Sequence, residues 1–218
     1  MATGPIGSVI LGLYEQGMTA SPAQRAALLA QAGGEKANAT LGDADRAAWR
    51  ILTRYFGPAQ DAVLTCPSCG AEVEFTLPAN FSPPEAETEA DLTIQYKGAA
   101  ITLRLPRLSD LQNGPFDPRK LAPDAHWTDP DFRKAAEAAL MAADPALKCD
   151  LALSCAACDT DQTQVLDVTG FVWARIEQAA RALVRDVAKL ARFYGWSEAE
   201  ITAMTPVRRA IYLREMDE

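Results

Sequence analysis

Two cysteine doublets constrain this chain more than any other feature. Cys66 and Cys69 lie in LTCPSCGAEVEFTL, Cys155 and Cys158 lie in LSCAACDTDQTQVLDV, and each doublet sits between two strand-like runs. A CxxC turn aims two sulfurs at one point, and two such turns facing each other supply four thiolates in a tetrahedral arrangement. That ligand number and softness is what zinc satisfies in a closed structural site. The predicted site is Cys66, Cys69, Cys155 and Cys158 around one structural zinc ion; iron in a rubredoxin-like site would use the same four thiolates. The doublets are 85 residues apart, far more than the roughly 15–20 of a compact zinc ribbon, so the intervening chain reads as an insertion. The competing reading is a thiol redox pair. A thioredoxin-like dithiol opens a helix after a strand, which lowers its thiol pKa, whereas here a strand follows the first doublet and polar, turn-like residues follow the second. Four protein ligands leave no open coordination position, so metal-assisted hydrolysis is not implied. The fifth cysteine, Cys149, shares a strand face with Leu151 and Leu153 and reads as a core residue. His126, the only histidine, stands beside Trp127 and reads as packed or solvated rather than ligating.

Composition agrees with this. Five cysteines, four of them in close doublets, suit metal ligation in a reducing compartment better than a disulfide framework. No run of about 18 apolar residues spans a membrane, and residues 1–17 lack the basic start of a signal peptide, so a soluble, cytoplasmic protein is expected. A net charge of −8 argues against a protein whose main task is gripping phosphate backbones. One histidine, no Ser/His/Asp arrangement and no phosphate-binding glycine loop leave no assembled catalytic motif, so the protein is read as not an enzyme.

Along the chain, residues 6–14 are apolar but short. Ser21, Pro22 and Gln24 form a capping box that opens a helix to about Ala32, and a second helix covers ADRAAWRILTRYFG, stopping at Gly57. Period-2 alternation follows: Val73, Phe75 and Leu77 share one face, and LTIQYKGAAITLRL reads as a hairpin turning at Gly98. Residues 79–91 form an acidic, proline-containing stretch read as a solvated linker, and residues 111–127 read as loop with short turns. Asp129 and Pro130 open another helix, and Cys149 begins a strand that delivers Cys155 to its end. From Gly170 the pattern is helical. A stripe of Val172, Ile176, Ala179, Leu183, Val187, Leu190 and Tyr194 predicts a helix about 36 Å long. Gly195 ends it, Ser197 and Glu200 cap the next helix with Trp196 as a staple on Ile201, and Thr205 and Pro206 open the last.

On the long helix Arg181, Arg185, Lys189 and Arg192 recur away from the apolar stripe. Eight of the 21 Lys and Arg but only seven of the 29 Asp and Glu lie from residue 170 onward, so the acidic excess sits elsewhere. This basic face reads either as a solvated surface or as a docking surface for an acidic protein, with Trp196, Arg208 and Arg209 as further surface contacts. The run FVWARIEQAARALVRDVAKLARFYGWSEAEITAMTPVRRAIYLREM resembles the C-terminal segment of small proteins encoded with T4-like phage baseplates and with extracellular contractile injection systems. There an aromatic-led helix is followed by YGW, S/T-x-x-E-I and RR-x-x-Y-L. The two LxCxxC segments, Asp144 with Pro145 ahead of the second, and LRLPRLSDL are also similar to that family. The likeness runs from about residue 47 to the end, and the YGW to RR module is its most specific part. Ala156 and Asp159 depart from the Pro and Gly of the first knuckle while keeping the thiolate spacing.

The expected molecule is therefore α+β: a small zinc-stapled β core, made of the two CxxC knuckles and a β-hairpin, flanked by N-terminal helices and a C-terminal three-helix module. Its expected divisions are residues 1–60, 61–169 and 170–218. The resemblance implies a non-enzymatic structural component or assembly factor of the baseplate or hub of a contractile phage-tail-like particle, acting through contacts with other baseplate or hub proteins. It would be made in the cytoplasm and, as a component, incorporated in the particle. The alternatives are a zinc-ribbon regulator that binds nucleic acid and, behind it, a thiol redox protein.

Overall fold

The computed structural model describes residues 6–87, 91–112 and 114–216. It is a mixed helix and sheet protein, and among the described residues no helix is long and apolar enough to cross a membrane. Three helices open the chain: α1 (Ile6–Gly17), α2 (Pro22–Ala32) and α3 (Leu41–Phe56). The short apolar stretch at the start is thus a full helix. Its Gly7 lets it sit against the chain near Thr202, where a Cβ would stand 2.8 Å from that carbonyl oxygen. The capping box at Ser21 forms as expected. Helix α3 begins earlier than its apolar period suggests, because the Thr40 hydroxyl accepts from the N–H of Asp43 and fixes the first turn.

Three antiparallel ladders follow, and each has only two strands. β1 (Gln60–Thr65) pairs with β2 (Glu72–Leu77), β3 (Leu92–Tyr96) with β4 (Ala99–Leu103), and β5 (Cys149–Ser154) with β6 (Asp161–Leu166). The expectation of one β core joining the knuckles to the hairpin is therefore corrected. Hairpin β3–β4 packs its inner face instead on α4 (Pro130–Ala143), where Leu103 and Phe132 are fully buried. A lone two-stranded ladder is marginal in water, and α4 supplies the apolar partner it needs.

The main core crosses all three expected divisions. It joins Ile10 and Leu13 of α1, Trp49 and Leu52 of α3, Leu77 of β2, Leu151 of β5, and Val172, Ile176 and Leu183 of α5 (Val168–Tyr194). The long helix is part of the same packed body as the N-terminal helices rather than a separate terminal module. Asp167 caps it, and Gly195 closes it in the left-handed region at φ 72°. The two short helices α6 (Glu198–Ala203) and α7 (Pro206–Glu215) then fold back on α1 and α5.

The acidic stretch is also tied down, contrary to the linker expectation. Within its described residues the Phe81 carbonyl accepts from Trp49 Nε1 at 2.9 Å while the Phe81 ring meets that indole edge to face. The Pro84 carbonyl accepts from Arg46, and the Glu87 N–H donates to Ala143; residues 88–90 lie outside the described residues, as does Asn113 of the expected loop at 111–127. Arg46 is the hub of this region. It is 6% exposed and forms a two-pronged pair with the fully buried Asp144, at 2.8 and 3.2 Å, and a second pair with Asp43 at 2.7 Å. These carboxylates hold the guanidinium charged against the cost of its burial. Gly42 is required here, since a Cβ would lie 2.0 Å from an Asp144 oxygen. Asp144 also caps the turn at Pro145–Leu147 that leads into β5, so the pair sets where the second knuckle starts.

Candidate metal centre

Each knuckle is built by its own ladder. In the first, β1 ends at Thr65, the Cys66 N–H donates to Ala71 at 2.8 Å and the Gly70 N–H returns to the Cys66 carbonyl at 2.9 Å. In the second, β5 ends at Ser154, the Cys155 N–H donates to Thr160 at 3.1 Å and the Asp159 N–H returns to the Cys155 carbonyl at 2.8 Å. The two turns share this pair of bonds, and the second adds one from the Cys158 N–H to the Cys155 carbonyl at 3.4 Å. Both need one residue in the left-handed region, supplied by Gly70 at φ 77° and by Asp159 at φ 51°. Asp tolerates that conformation better than most residues with a Cβ, so replacing glycine by Asp159 leaves the turn intact.

The four sulfurs of Cys66, Cys69, Cys155 and Cys158 lie within 4.8 Å of one another. Across the two knuckles, Cys66 Sγ is 3.8 Å from Cys158 Sγ and Cys69 Sγ is 3.7 Å from Cys155 Sγ. Four thiolates about 2.3 Å from a central ion in tetrahedral geometry stand about 3.8 Å apart, and the two separations across the knuckles match that value. Four cysteines here can hold a metal ion. Cys66 and Cys155 are each 1% exposed and Val73 packs beside them, while Cys69 faces solvent. None of the five cysteines forms a disulfide.

Electrostatically the cluster is uneven. The N–H groups of Cys69 and Ser68 point at Cys66 and hold its thiol below the ordinary range against the effect of burial. The Thr160 hydroxyl and its N–H, with Cys69 behind them, bring Cys158 down to about 6. At Cys69 the N–H of Ala71 acts to lower the pKa but is outweighed by Cys158, burial, Cys155 and Cys66, and the thiol is pushed up to about 12. Bare thiolates this close repel one another, so only a cation at their centre permits full deprotonation. Thr160 is the residue that the spacing of cysteines does not reveal. Its position two residues past a CxxC, where a hydroxyl can reach back to the last thiol, is the only trace it leaves.

No protein-family model, curated protein or solved structure matches this chain. Four cysteine ligands would fill the coordination of one tetrahedral ion.

The two side candidates stay outside the cluster. Cys149 is buried, its Sγ donates to the Ala146 carbonyl at 3.7 Å, and burial together with Asp45 and Asp144 pushes its thiol up to about 11. His126 lies against the rings of Tyr96 and Phe132 at 5.9 and 6.0 Å.

The basic residues of α5 and α7 divide. Arg181, Arg185, Lys189, Arg192 and Arg208 are exposed, with Arg181 paired to Glu177 at 2.6 Å. Arg209 is not a surface residue: it is 8% exposed, donates to the Met204 carbonyl at 2.8 Å and lies 3.8 Å from Asp186 of α5. It ties α7 to α5. Trp196, expected as a staple on Ile201, is half-buried and stacks on Tyr194 at 4.4 Å and edge-on to Tyr212 at 4.8 Å.

Proposed function

We propose that this chain is a non-enzymatic structural component or assembly factor of the baseplate or hub of a contractile phage-tail-like particle, acting through protein contacts in the cytoplasm of the producing cell. One zinc ion on Cys66, Cys69, Cys155 and Cys158 staples the two knuckles. The observation that carries the metal part is the sulfur spacing of 3.7 and 3.8 Å between knuckles, which suits a tetrahedral four-thiolate ion. What supports the particle part is the Tyr194–Gly195–Trp196 to Arg208–Arg209 segment of the sequence. This segment continues directly from α5, whose earlier turns pack into the main core. Deleting the gene in a producing strain should abolish particle assembly or change baseplate composition as read by mass spectrometry of purified particles. Intact particles of unchanged composition would refute the assignment.

A second reading, a zinc-ribbon regulator of nucleic acid, draws on the exposed Arg185, Lys189 and Arg192, and the charge of −8 opposes it. It requires an affinity for DNA or RNA that falls steeply with salt; a flat titration would remove it.

A further inference from the structure

We infer that Cys69 is an oxidation site for hydroperoxides and that its sulfur then bonds to Cys155 of the other knuckle, releasing the metal while the knuckles stay joined. The inference deepens the metal part of the proposed function and depends on it for the ion that is released. The four thiols differ in access. Cys66 and Cys155 are each 1% exposed and Cys158 is half-buried, but Cys69 faces solvent, as do its neighbours Pro67, Ser68 and Gly70. That turn is open: among the described residues, a Cβ on Gly70 would meet no atom within 4 Å. Cys69 and Cys158 hold matching positions in the two knuckles, and what separates them lies two residues further on. There the second knuckle has Thr160, whose hydroxyl stands 3.3 Å from Cys158 Sγ, while the first has Ala71, with no hydroxyl to cover the sulfur.

Susceptibility of a cysteine to oxidation follows thiolate character and exposure. A bound ion keeps all four sulfurs as thiolates, so exposure decides between them and selects Cys69. Coordination slows attack without abolishing it. The Cys69 thiolate attacks one oxygen of hydrogen peroxide and breaks the O–O bond, leaving a sulfenic acid and a hydroxide. The Cys155 thiolate, 3.7 Å from Cys69 Sγ, then displaces a second hydroxide from that sulfur and forms the disulfide. Two thiolates and one peroxide become one disulfide and two hydroxides, and the two electrons lost by the sulfurs are gained by the peroxide. The ion keeps only two of its four ligands and dissociates. The sulfur contacts direct the new bond across the knuckles: Cys69 meets Cys155, and Cys66 meets Cys158 at 3.8 Å. Closing the first pair brings its sulfurs to about 2.05 Å. The link joins positions 86 residues apart, on either side of hairpin β3–β4 and α4, so it takes over from the metal as a staple.

A peroxide time course tests this. Full-length protein is incubated with zinc, freed of the excess, treated with hydrogen peroxide and quenched with iodoacetamide. A zinc-indicator dye follows release, and mass spectrometry with fragmentation between the cysteines maps the links. The first disulfide should be Cys69–Cys155, and zinc should be released in step with it. Cys149, buried with its Sγ on the Ala146 carbonyl, should stay reduced. A thiol reductant with added zinc should restore the starting state. Hydrogen exchange in β1–β2 and β5–β6 should be slower in the oxidised, zinc-free protein than in reduced protein stripped by a chelator. The inference is overturned if no link or another pair forms first, if zinc stays bound in excess peroxide, if Cys69 goes on to sulfinic acid without a partner, or if the oxidised knuckles exchange as fast as the stripped ones. Protein that binds no zinc yet still forms Cys69–Cys155 first would remove the metal reading and leave the link between knuckles standing.

Discussion

At the scale of single residues, the two knuckle turns give a controlled comparison. Gly70 and Asp159 occupy equivalent left-handed positions, but only Asp159 carries a Cβ there. Gly70→Val should cost on the order of 1–3 kcal/mol in chemical denaturation, while Asp159→Gly should be near neutral. This equivalence is only half visible in the sequence, since the CxxC spacing is explicit but aspartate does not announce a positive φ. Asp45 carries a second residue-scale expectation. Burial, with Asp167 and Asp144 nearby, raises its carboxyl to about 7, although the N–H of Thr169 pulls the other way. The folded protein thus keeps a proton that the unfolded chain has already released above about pH 4. Stability is lost as pH rises from there through about 7, by at most about 4 kcal/mol. Asp45→Asn should be more stable than wild type at pH 8, with the difference vanishing near about pH 4; an equal or larger loss at pH 8 would contradict the burial argument. Arg209 shows where residue-level reading stops. Its burial depends on Asp186, 23 positions earlier on another helix, and no local pattern encodes that approach. Arg209→Ala should therefore lower stability by about 1–3 kcal/mol, while Arg208→Ala, on the exposed side, should leave the melting temperature nearly unchanged.

At the scale of elements, what was legible was what is locally determined. Ser21 with Gln24, Asp129 with Pro130, Ser197 with Glu200 and Thr205 with Pro206 each place a helix start that the structure reproduces, because capping is settled within four residues. Alternation likewise located β3 and β4, where Lys97 and Gly98 both take positive φ at the turn. Helix α1 was not legible as a helix, since its identity comes from packing on α5 and α6 rather than from caps. The docking of residues 81–87 onto α3 was hidden for the same reason. Phe81 looks solvated until Trp49 is beside it. Hairpin β3–β4 depends on α4 for its apolar face, and Phe132 is its fully buried anchor. Phe132→Ala should cost about 3–5 kcal/mol, and hydrogen exchange should show β3 and β4 losing protection ahead of α3 and α5.

At the scale of the molecule, two distant constraints hold the second knuckle. Arg46 and Asp144 fix where β5 begins, and the four sulfurs fix where it ends. Breaking the buried pair with Asp144→Ala leaves the guanidinium to Asp43 and the Pro84 carbonyl and should destabilise by at most about 3–5 kcal/mol. Losing the metal should act elsewhere. The core of α1, α3 and α5 contains none of the four thiols of the cluster, so the helical signal should outlast the knuckles when a chelator is added. The cysteine doublets alone foretold the cluster, because ligand number and turn geometry leave few other arrangements. The separation of the three ladders was not foretold, because strand alternation does not say which surface a ladder packs on.

The most direct test of the central claim, a four-thiolate structural metal site, is the metal content of purified protein by elemental mass spectrometry, paired with a thiol titration before and after chelation. About one zinc per chain is expected, with Cys66, Cys69, Cys155 and Cys158 protected until the chelator removes it, and loss of the metal in Cys66→Ser. Protein free of bound metal, with these four thiols reacting at once in the native state, would contradict it.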